Sequence, residues 1–421
     1  MNKFMYKYKD SFHYILFILF LFFFSNLLPW TNPYPLQGVY KPIEDLVFFW
    51  QYNSDTPGEI LSSFYFPEYF EKNPNRMERP GYLLPSLLFG KILNFFLHFI
   101  GINISEIYPA TLGYLLTKLL FYFISISLCV KLYEIYFDKN ISKILVFIFF
   151  LGWESVRQIS QLHTTEFQFL FPIISTYILI KLNDSTNLQK ILLIILMGYL
   201  ITVKHNFAII LTILTFLLIK KKFKETILFI ILLSIFPLIY LIYIKFIANY
   251  EIYFHLFQSD HQYGSWILNS DLKIIFIKFI RSILVFFKYN IYYYFIFLIP
   301  FIIFIFDKNS YSKYKNEILF SFLLIFFTLV QGYAANKFGR FTFNQMTYHT
   351  RAYMVGDYAF IIFASFGFLL KKNYTSIKKY IPIIFIVWIG YTSIFFINLP
   401  WKHPFDQKTR DWKYRIQNLD K

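Results

Sequence analysis

A dozen apolar stretches decide what this chain can fold into. They fall near 12–28, 81–100, 107–137, 141–156, 167–182, 188–203, 205–219, 225–247, 290–306, 317–335, 351–370 and 380–398. Backbone surrounded by hydrocarbon must satisfy its own N–H and C=O groups. A helix of about 20 apolar residues does this while crossing ~30 Å of lipid. Soluble domains have no use for so many runs of this kind. The fold class expected is therefore an all-α polytopic membrane protein. The chain is 57% hydrophobic and 24% aromatic. Phe, Ile, Tyr, Lys and Asn dominate while Ala and Gly are scarce. Part of that bias is the mark of AT-rich coding, so aromatic richness alone is no evidence for sugar or base stacking.

The formal net charge is +17. On a soluble protein that would suggest nucleic acid. Here the lysines lie mostly in short loops between apolar runs, where they set topology. No nucleic-acid partner is expected. The single cysteine, Cys129, sits inside an apolar run. It excludes an intrachain disulfide and a cysteine metal site. The opening "MNKFMYKYKDSFHYILFILFLFFFSNLL" places a basic flank before an apolar run. No small-residue cleavage site follows, only Pro29 and Trp30. This reads as an uncleaved signal anchor.

Lys and Arg in short loops give orientation. Lys3, Lys7 and Lys9 put the N-terminus in the cytoplasm. Lys139 and Lys143, Lys181 and Lys190, the Lys220–Lys224 run, Lys308–Lys315, and the pairs Lys371-Lys372 and Lys378-Lys379 belong on the same side. These agree only if one of the twelve runs does not cross. The expectation is eleven transmembrane helices, with 81–100 dipping in from the outer face or lying in the interface. The C-terminus is then outside. The layout is one polytopic domain, 1–398. It has an external loop with interfacial helices at 30–106, central helices at 107–247, an external segment at 248–289 and C-terminal helices at 290–398. An external basic tail, 399–421, follows. The membrane expected is a plasma membrane, the inner membrane of a bacterium.

That topology sorts the polar residues. The outer loop 30–80 is the most acidic part of the chain, with Glu44, Asp45, Asp55, Glu59, Glu68, Glu71 and Glu78 against Lys41, Lys72, Arg76 and Arg79. Glu44-Asp45 opens "EDLVFFW", which has the look of an amphipathic interfacial helix. Partial desolvation there moves a carboxylate toward general-base duty; a solvated loop is the plainer alternative. Arg79-Pro80 opens the next apolar run, as a snorkelling anchor or as a binding group. Glu154 with Arg157, and His163 with Glu166, are spaced three apart. They pair on helix ends or contribute to a site, with Glu166 opening a span from outside. Lys204 sits in a tight outer turn between two apolar runs, on the side where topological lysines do not belong. An ionisable residue there points to function, and an ammonium suits phosphate. His205 beside it is a second polar contact or only an interfacial residue. Arg340, His349 and Arg351 lie at the outer end of a later span, as anchors or phosphate ligands.

Three of these motifs, in order, resemble the C-type glycosyltransferase superfamily: Pro42-Ile43-Glu44-Asp45, Arg79-Pro80-Gly81-Tyr82, and Gly198 through Lys204. The nearest likeness is to the branch of protein O-mannosyltransferases and lipid A aminoarabinose transferases. It covers roughly the N-terminal half. There are departures: Glu-Asp stands for the usual Asp-Glu, and Arg-Pro-Gly for the usual Pro-Pro. The resemblance implies a transferase using a polyprenyl-phosphate-linked sugar as donor and a glycan, lipid or protein as acceptor, at the extracytoplasmic face. Asp45 or Glu44 would be the catalytic carboxylate. Lys204, His205, Arg79, Glu166, His163, Arg340 and Arg351 would bind substrate. A divalent metal stays open, with Asp45 and Glu166 as the carboxylates to hold it. The transfer would be hexosyl or pentosyl, with inversion.

Rival functions place their charges differently. A lipid-linked glycan flippase or other transporter wants ionisable groups at mid-depth, and Lys118 is the residue in its favour. A membrane acyltransferase or glycan polymerase wants a buried His with a polar neighbour, for which only Lys204-His205-Asn206 comes near. A non-catalytic assembly subunit would leave the carboxylates unclustered.

Overall fold

The computed structural model describes residues 2–27, 60, 64–65, 80–104, 106–135, 137–152, 187–203, 207–243, 271–286 and 378–397, with scattered helical positions within 155–177 and 306–330. Among the described residues every regular element is helical and none is a strand. The helices are α1 (Asn2–Leu27), α2 (Pro80–Phe99), α3 (Ile107–Tyr133), α4 (Lys139–Phe150), α5 (Asn187–Val203), α6 (Phe207–Ile219), α7 (Phe223–Ile242), α8 (Leu272–Phe286) and α9 (Ile381–Ile397). A 3-10 turn, Lys378–Tyr380, leads into α9. Three stretches are long and apolar enough to cross a membrane: Gly81–Phe99, Tyr108–Tyr133 and Phe223–Ile242. Shorter apolar lengths run through α1, α5, α6 and α9. The chain groups into two units. One comprises Met1–Val130, Val146–Phe167 and Ser376–Lys421; the other comprises Lys131–Leu145 and Gln168–Thr375.

The first unit is built around a helical hairpin. Pro80 opens α2, where a missing N–H costs nothing. After Phe99 the chain turns through Gly101, whose φ of +77° is left-handed. The Gly101 N–H donates to His98 O at 3.0 Å and the Ile102 N–H to Leu97 O at 2.9 Å. This double bond pattern closes the helix end and needs glycine for its dihedral. α3 then returns antiparallel. Tyr82, near the start of α2, stacks on Tyr114 and Phe121, with centroids 4.6 and 6.0 Å away. Further along, Gly90 lies against Pro109 and Gly113. A Cβ on Gly113 would fall 2.7 Å from both Gly90 Cα and Ser86 O. Helices in lipid gain little from hydrophobicity between them. They associate where small residues let their backbones meet, and Ser86 and Gly90, four apart on α2, do that here.

The stretch 81–100 was expected to dip into the membrane or lie in the interface. Its described backbone is one unbroken helix of 20 residues, ~30 Å long at 1.5 Å per residue. Pro85 removes one hydrogen bond near its start without breaking it. No re-entrant turn appears among these residues, and α2 has the length and apolarity of a crossing segment.

α1 buries Tyr14, Ile18, Leu21 and Ser25 along one helical stripe and exposes Phe12, Leu16, Leu19, Phe20 and Phe23. Phe17 stacks on Phe147 at 4.2 Å, and Tyr14 meets Phe123 edge-on. α9 contributes two donors one turn apart. Trp388 Nε1 donates to Ile148 O at 2.9 Å, and Thr392 Oγ1 donates to Leu151 O at 3.2 Å. The last carbonyls of a helix lack partners within it, and here α9 supplies them for the end of α4.

In the second unit Asp138 caps α4: its Oδ1 accepts from the Asn140 and Ile141 N–H groups, both at 3.0 Å. Gly198 of α5 packs against the Leu233 backbone of α7, and Tyr199 meets Phe236 edge-on. Lys220–Lys222 forms the corner between α6 and α7. Lys221 carries φ +55°, and the Lys222 N–H donates to Leu217 O at 2.9 Å. The bond pattern is that of Gly101, with a lysine in the glycine position. Lys220 Nζ donates to Asn316 Oδ1.

Candidate functional site

Glu44, Asp45, Arg79, His163, Glu166, Lys204, His205, Arg340 and Arg351 all lie outside the described residues, as do Glu154, Arg157 and His349. Described residues adjoin Arg79, Glu154, Arg157 and the Lys204-His205 pair, and these show the surroundings of three of the motifs.

The segment between α1 and α2 meets α2 at Phe64. Ile60 and Phe64 are both buried. The absence of a side chain on Gly90 admits the Phe64 ring, which a Cβ there would approach to 3.1 Å. Lys91, the next residue on α2, sets its Nζ 3.9 Å above the same ring. A cation over an aromatic face at that distance is attractive. The segment whose sequence carries the acid pair thus meets, at Phe64, the helix that Arg79 precedes. The Arg79-Pro80 boundary expected from sequence is where α2 begins.

A second set of contacts holds the start of "GWESVRQISQLHTTEF". α4 ends through Leu151 and Gly152, and helical backbone resumes by Ser155. Tyr122 of α3 donates its hydroxyl to Ser155 O at 3.0 Å and meets Phe150 edge-on. With Trp388 and Thr392 on the preceding carbonyls, three donors from two helices fix this turn. Ser155, Val156 and Ile159 are buried. Ser155 Oγ is buried with no hydrogen-bond partner among the described residues. Sequence reading missed Tyr122, Trp388 and Thr392, because a hydroxyl or indole in an apolar run does not announce which carbonyl it serves.

The third motif is bracketed by helix ends. α5 stops at Val203 and α6 starts at Phe207. Lys204, His205 and Asn206, between the two apolar helices in the sequence, lie outside the described residues.

Several ionisable residues are described inside the spanning candidates: Lys91, Lys131 and Lys224 are exposed there, and Lys118 is not. Lys118 of α3 is fully buried. It shares a helical stripe with Tyr114, Phe121, Tyr122 and Ser125, all of them buried. A cation there is tolerated only when it is engaged, and Lys118 does have an interaction partner. Cys129, further along α3, is buried as a free thiol. Among the described residues no group of three or more His, Cys, Asp or Glu is placed to hold a metal ion. No family model, no curated protein and no solved structure matches this chain.

Proposed function

We propose that this chain is a membrane glycosyltransferase that moves a hexosyl or pentosyl unit from a polyprenyl-phosphate donor to a glycan, lipid or protein acceptor at the extracytoplasmic face of a plasma membrane. The observation that carries the reading is the order of charges along an otherwise apolar helical chain. An acid pair follows the first helix. Arg79 immediately precedes the first residue of α2. Lys204 falls in the three-residue interval between α5 and α6. In the proposed step Asp45 or Glu44 takes the proton of the acceptor hydroxyl. The acceptor oxygen bonds to the anomeric carbon as the carbon–oxygen bond to phosphate breaks. The electron pair leaves on the phosphate oxygen, and a single displacement inverts the centre. Lys204, with Arg340 or Arg351, stabilises the departing polyprenyl phosphate. Arg79, His163, Glu166 and His205 line the substrates.

The test is release of polyprenyl phosphate from a labelled polyprenyl-phosphate sugar in proteoliposomes. Glu44→Gln with Asp45→Asn is expected to lower turnover about 10²–10⁴-fold, the range for a general base. Lys204→Gln is expected to lower it about 10²–10³-fold. A doubly substituted protein with full activity would sink the role of the pair.

Topology gives an independent test. The reading keeps loop 30–80, the α2–α3 turn and Lys204 on one side, with eleven crossings, N-terminus in and C-terminus out. α2 then runs along the membrane rather than through it. Ile104, exposed in the α2–α3 turn, reports this directly. Ile104→Cys should react with a membrane-impermeant maleimide added outside intact cells. If it is reached only from the cytoplasm, α2 crosses and the later loops exchange sides. The acid pair and Lys204 are then on opposite faces, and the transferase reading falls. Lys118, buried within a spanning candidate, would then favour the second reading, a lipid-linked glycan flippase. A flippase moves its donor across the bilayer intact and releases no free polyprenyl phosphate.

A further inference from the structure

We propose that α8 is an interfacial helix that binds the headgroups of anionic phospholipids. The argument is independent of the transferase reading. α8 is described over 15 residues, a rise of ~22 Å. It carries Lys273, Lys278 and Arg281 and no acid. At 100° per residue these three fall at about 0°, 140° and 80°, within one arc of the helix. The opposite arc, about 180° to 320°, holds Leu272, Ile275, Phe276, Phe279, Ile283 and Phe286, with Ser282 at its edge. Three cations within nine residues, Lys273 to Arg281, make this stretch costly to place in hydrocarbon. The exposure of the apolar arc excludes a helix resting in water: Leu272 is 84% and Phe276 65% exposed. Ile275 and Phe279, beside them on that arc, are half-buried and turn toward the protein. The helix therefore has a protein-facing edge, an uncovered apolar edge and a basic side. A bilayer surface satisfies all three: acyl chains take Leu272 and Phe276, and phosphates take the cations. Ile274 and Ile277 lie among the basic positions and are 42% exposed each. They suit a helix sunk to the headgroup level, where lysine stems snorkel upward. The occupant is anionic rather than zwitterionic because the fixed charge is of one sign. Among the described residues of 271–286 Asp271 is the acid that offsets it, at the N-terminal end, where the helix dipole already attracts an acid.

The test labels Phe276→Cys with bimane in the full chain. Native Cys129 is buried, so labelled wild type gives the background. Proteoliposomes of phosphatidylcholine carry either brominated phosphatidylglycerol or brominated phosphatidylcholine, with bromine at the same shallow acyl depth. The expected result is stronger quenching by the phosphatidylglycerol at equal mole fraction. Lys273→Gln, Lys278→Gln and Arg281→Gln together should abolish the preference, each charge accounting for up to about fivefold enrichment. Continued protection of Cys129 from thiol reagents shows that this variant is folded. Equal quenching by the two lipids overturns the proposal. So does quenching by aqueous iodide with neither lipid effective, which marks a helix in water or on a protein partner. Stronger quenching from deep than from shallow bromine also overturns it, because α8 would then lie in the hydrocarbon.

Discussion

Replacing Gly113 by alanine puts a methyl group where α2 already is. The added Cβ would stand 2.7 Å from Gly90 Cα and 2.7 Å from Ser86 O. Carbon atoms in contact settle near ~3.5–4.0 Å, so the two helices must part by about 1 Å. A gap of that size forfeits a quarter to a half of the dispersion energy across the contact. Overpacking of this kind costs about 1–3 kcal/mol. Alanine returns about 1 kcal/mol of helix propensity, leaving a net loss of up to about 2 kcal/mol. Gly390 of α9 is the control, because a Cβ there meets nothing within 4 Å among the described residues. Gly390→Ala has the propensity gain without the clash. Cys129 supplies the assay: it is the only cysteine, and it is buried on α3. Its reaction with a maleimide dye under mild denaturation follows the fraction of molecules in which α3 is open. Each 1.4 kcal/mol changes that fraction tenfold. Gly113→Ala should therefore react about tenfold faster than wild type, and Gly390→Ala at the wild-type rate or slower. Equal rates for the two variants would refute the close approach of α2 and α3.

Trp388→Phe leaves Ile148 O without its α9 donor and should destabilise the first unit by about 1–3 kcal/mol, read by the same Cys129 kinetics. Thr392→Val acts one turn away on Leu151 O. The two substitutions should couple in a double-mutant cycle, since both hold one turn; strict additivity would count against a shared clasp. Lys221→Gly relieves a left-handed lysine and should raise stability by about 1 kcal/mol. Unchanged thermal unfolding in detergent would show that the α6–α7 corner bears no such strain.

Helix existence was plain from the sequence, because hydrocarbon demands long apolar runs whatever their partners. The runs at 188–203 and 205–219 became Asn187–Val203 and Phe207–Ile219, and 380–398 became Ile381–Ile397. Local chemistry marked one end in advance, Pro80 at a start; Gly101 past a finish and Asp138 as a cap emerged with the structure. The fate of 81–100 was less legible. Counting lysines on alternate sides sets the parity of crossings but not the shape of any one segment; of the two shapes it allowed for 81–100, the unbroken helix α2 fits the one lying in the interface and not the dip. Partnership was not legible at all. In a soluble helix the apolar stripe names the buried face. In lipid both faces are apolar, and that signal fades. Tyr122 finds Ser155 across 33 residues, and Trp388 finds Ile148 across 240; neither hydroxyl nor indole carries its address in its neighbours.

The same physics explains why the candidate site was legible only as a set of positions. Carboxylates and cations stand out against an apolar background, so Glu44, Asp45 and Lys204 could be picked by charge alone. What brings such groups together is helix packing, and packing depends on small residues whose meaning appears only in pairs. Gly90 illustrates this twice: a Cβ there would approach the Phe64 ring to 3.1 Å and Pro109 O of α3 to 3.3 Å. A bulky residue at that one position would press on both Phe64 and the start of α3. In the proposed transferase, Phe64 links this packing to the segment whose sequence carries the acid pair. Variants at Gly90 should disturb stability and donor turnover together. Variants at Glu44 and Asp45 should disturb turnover alone.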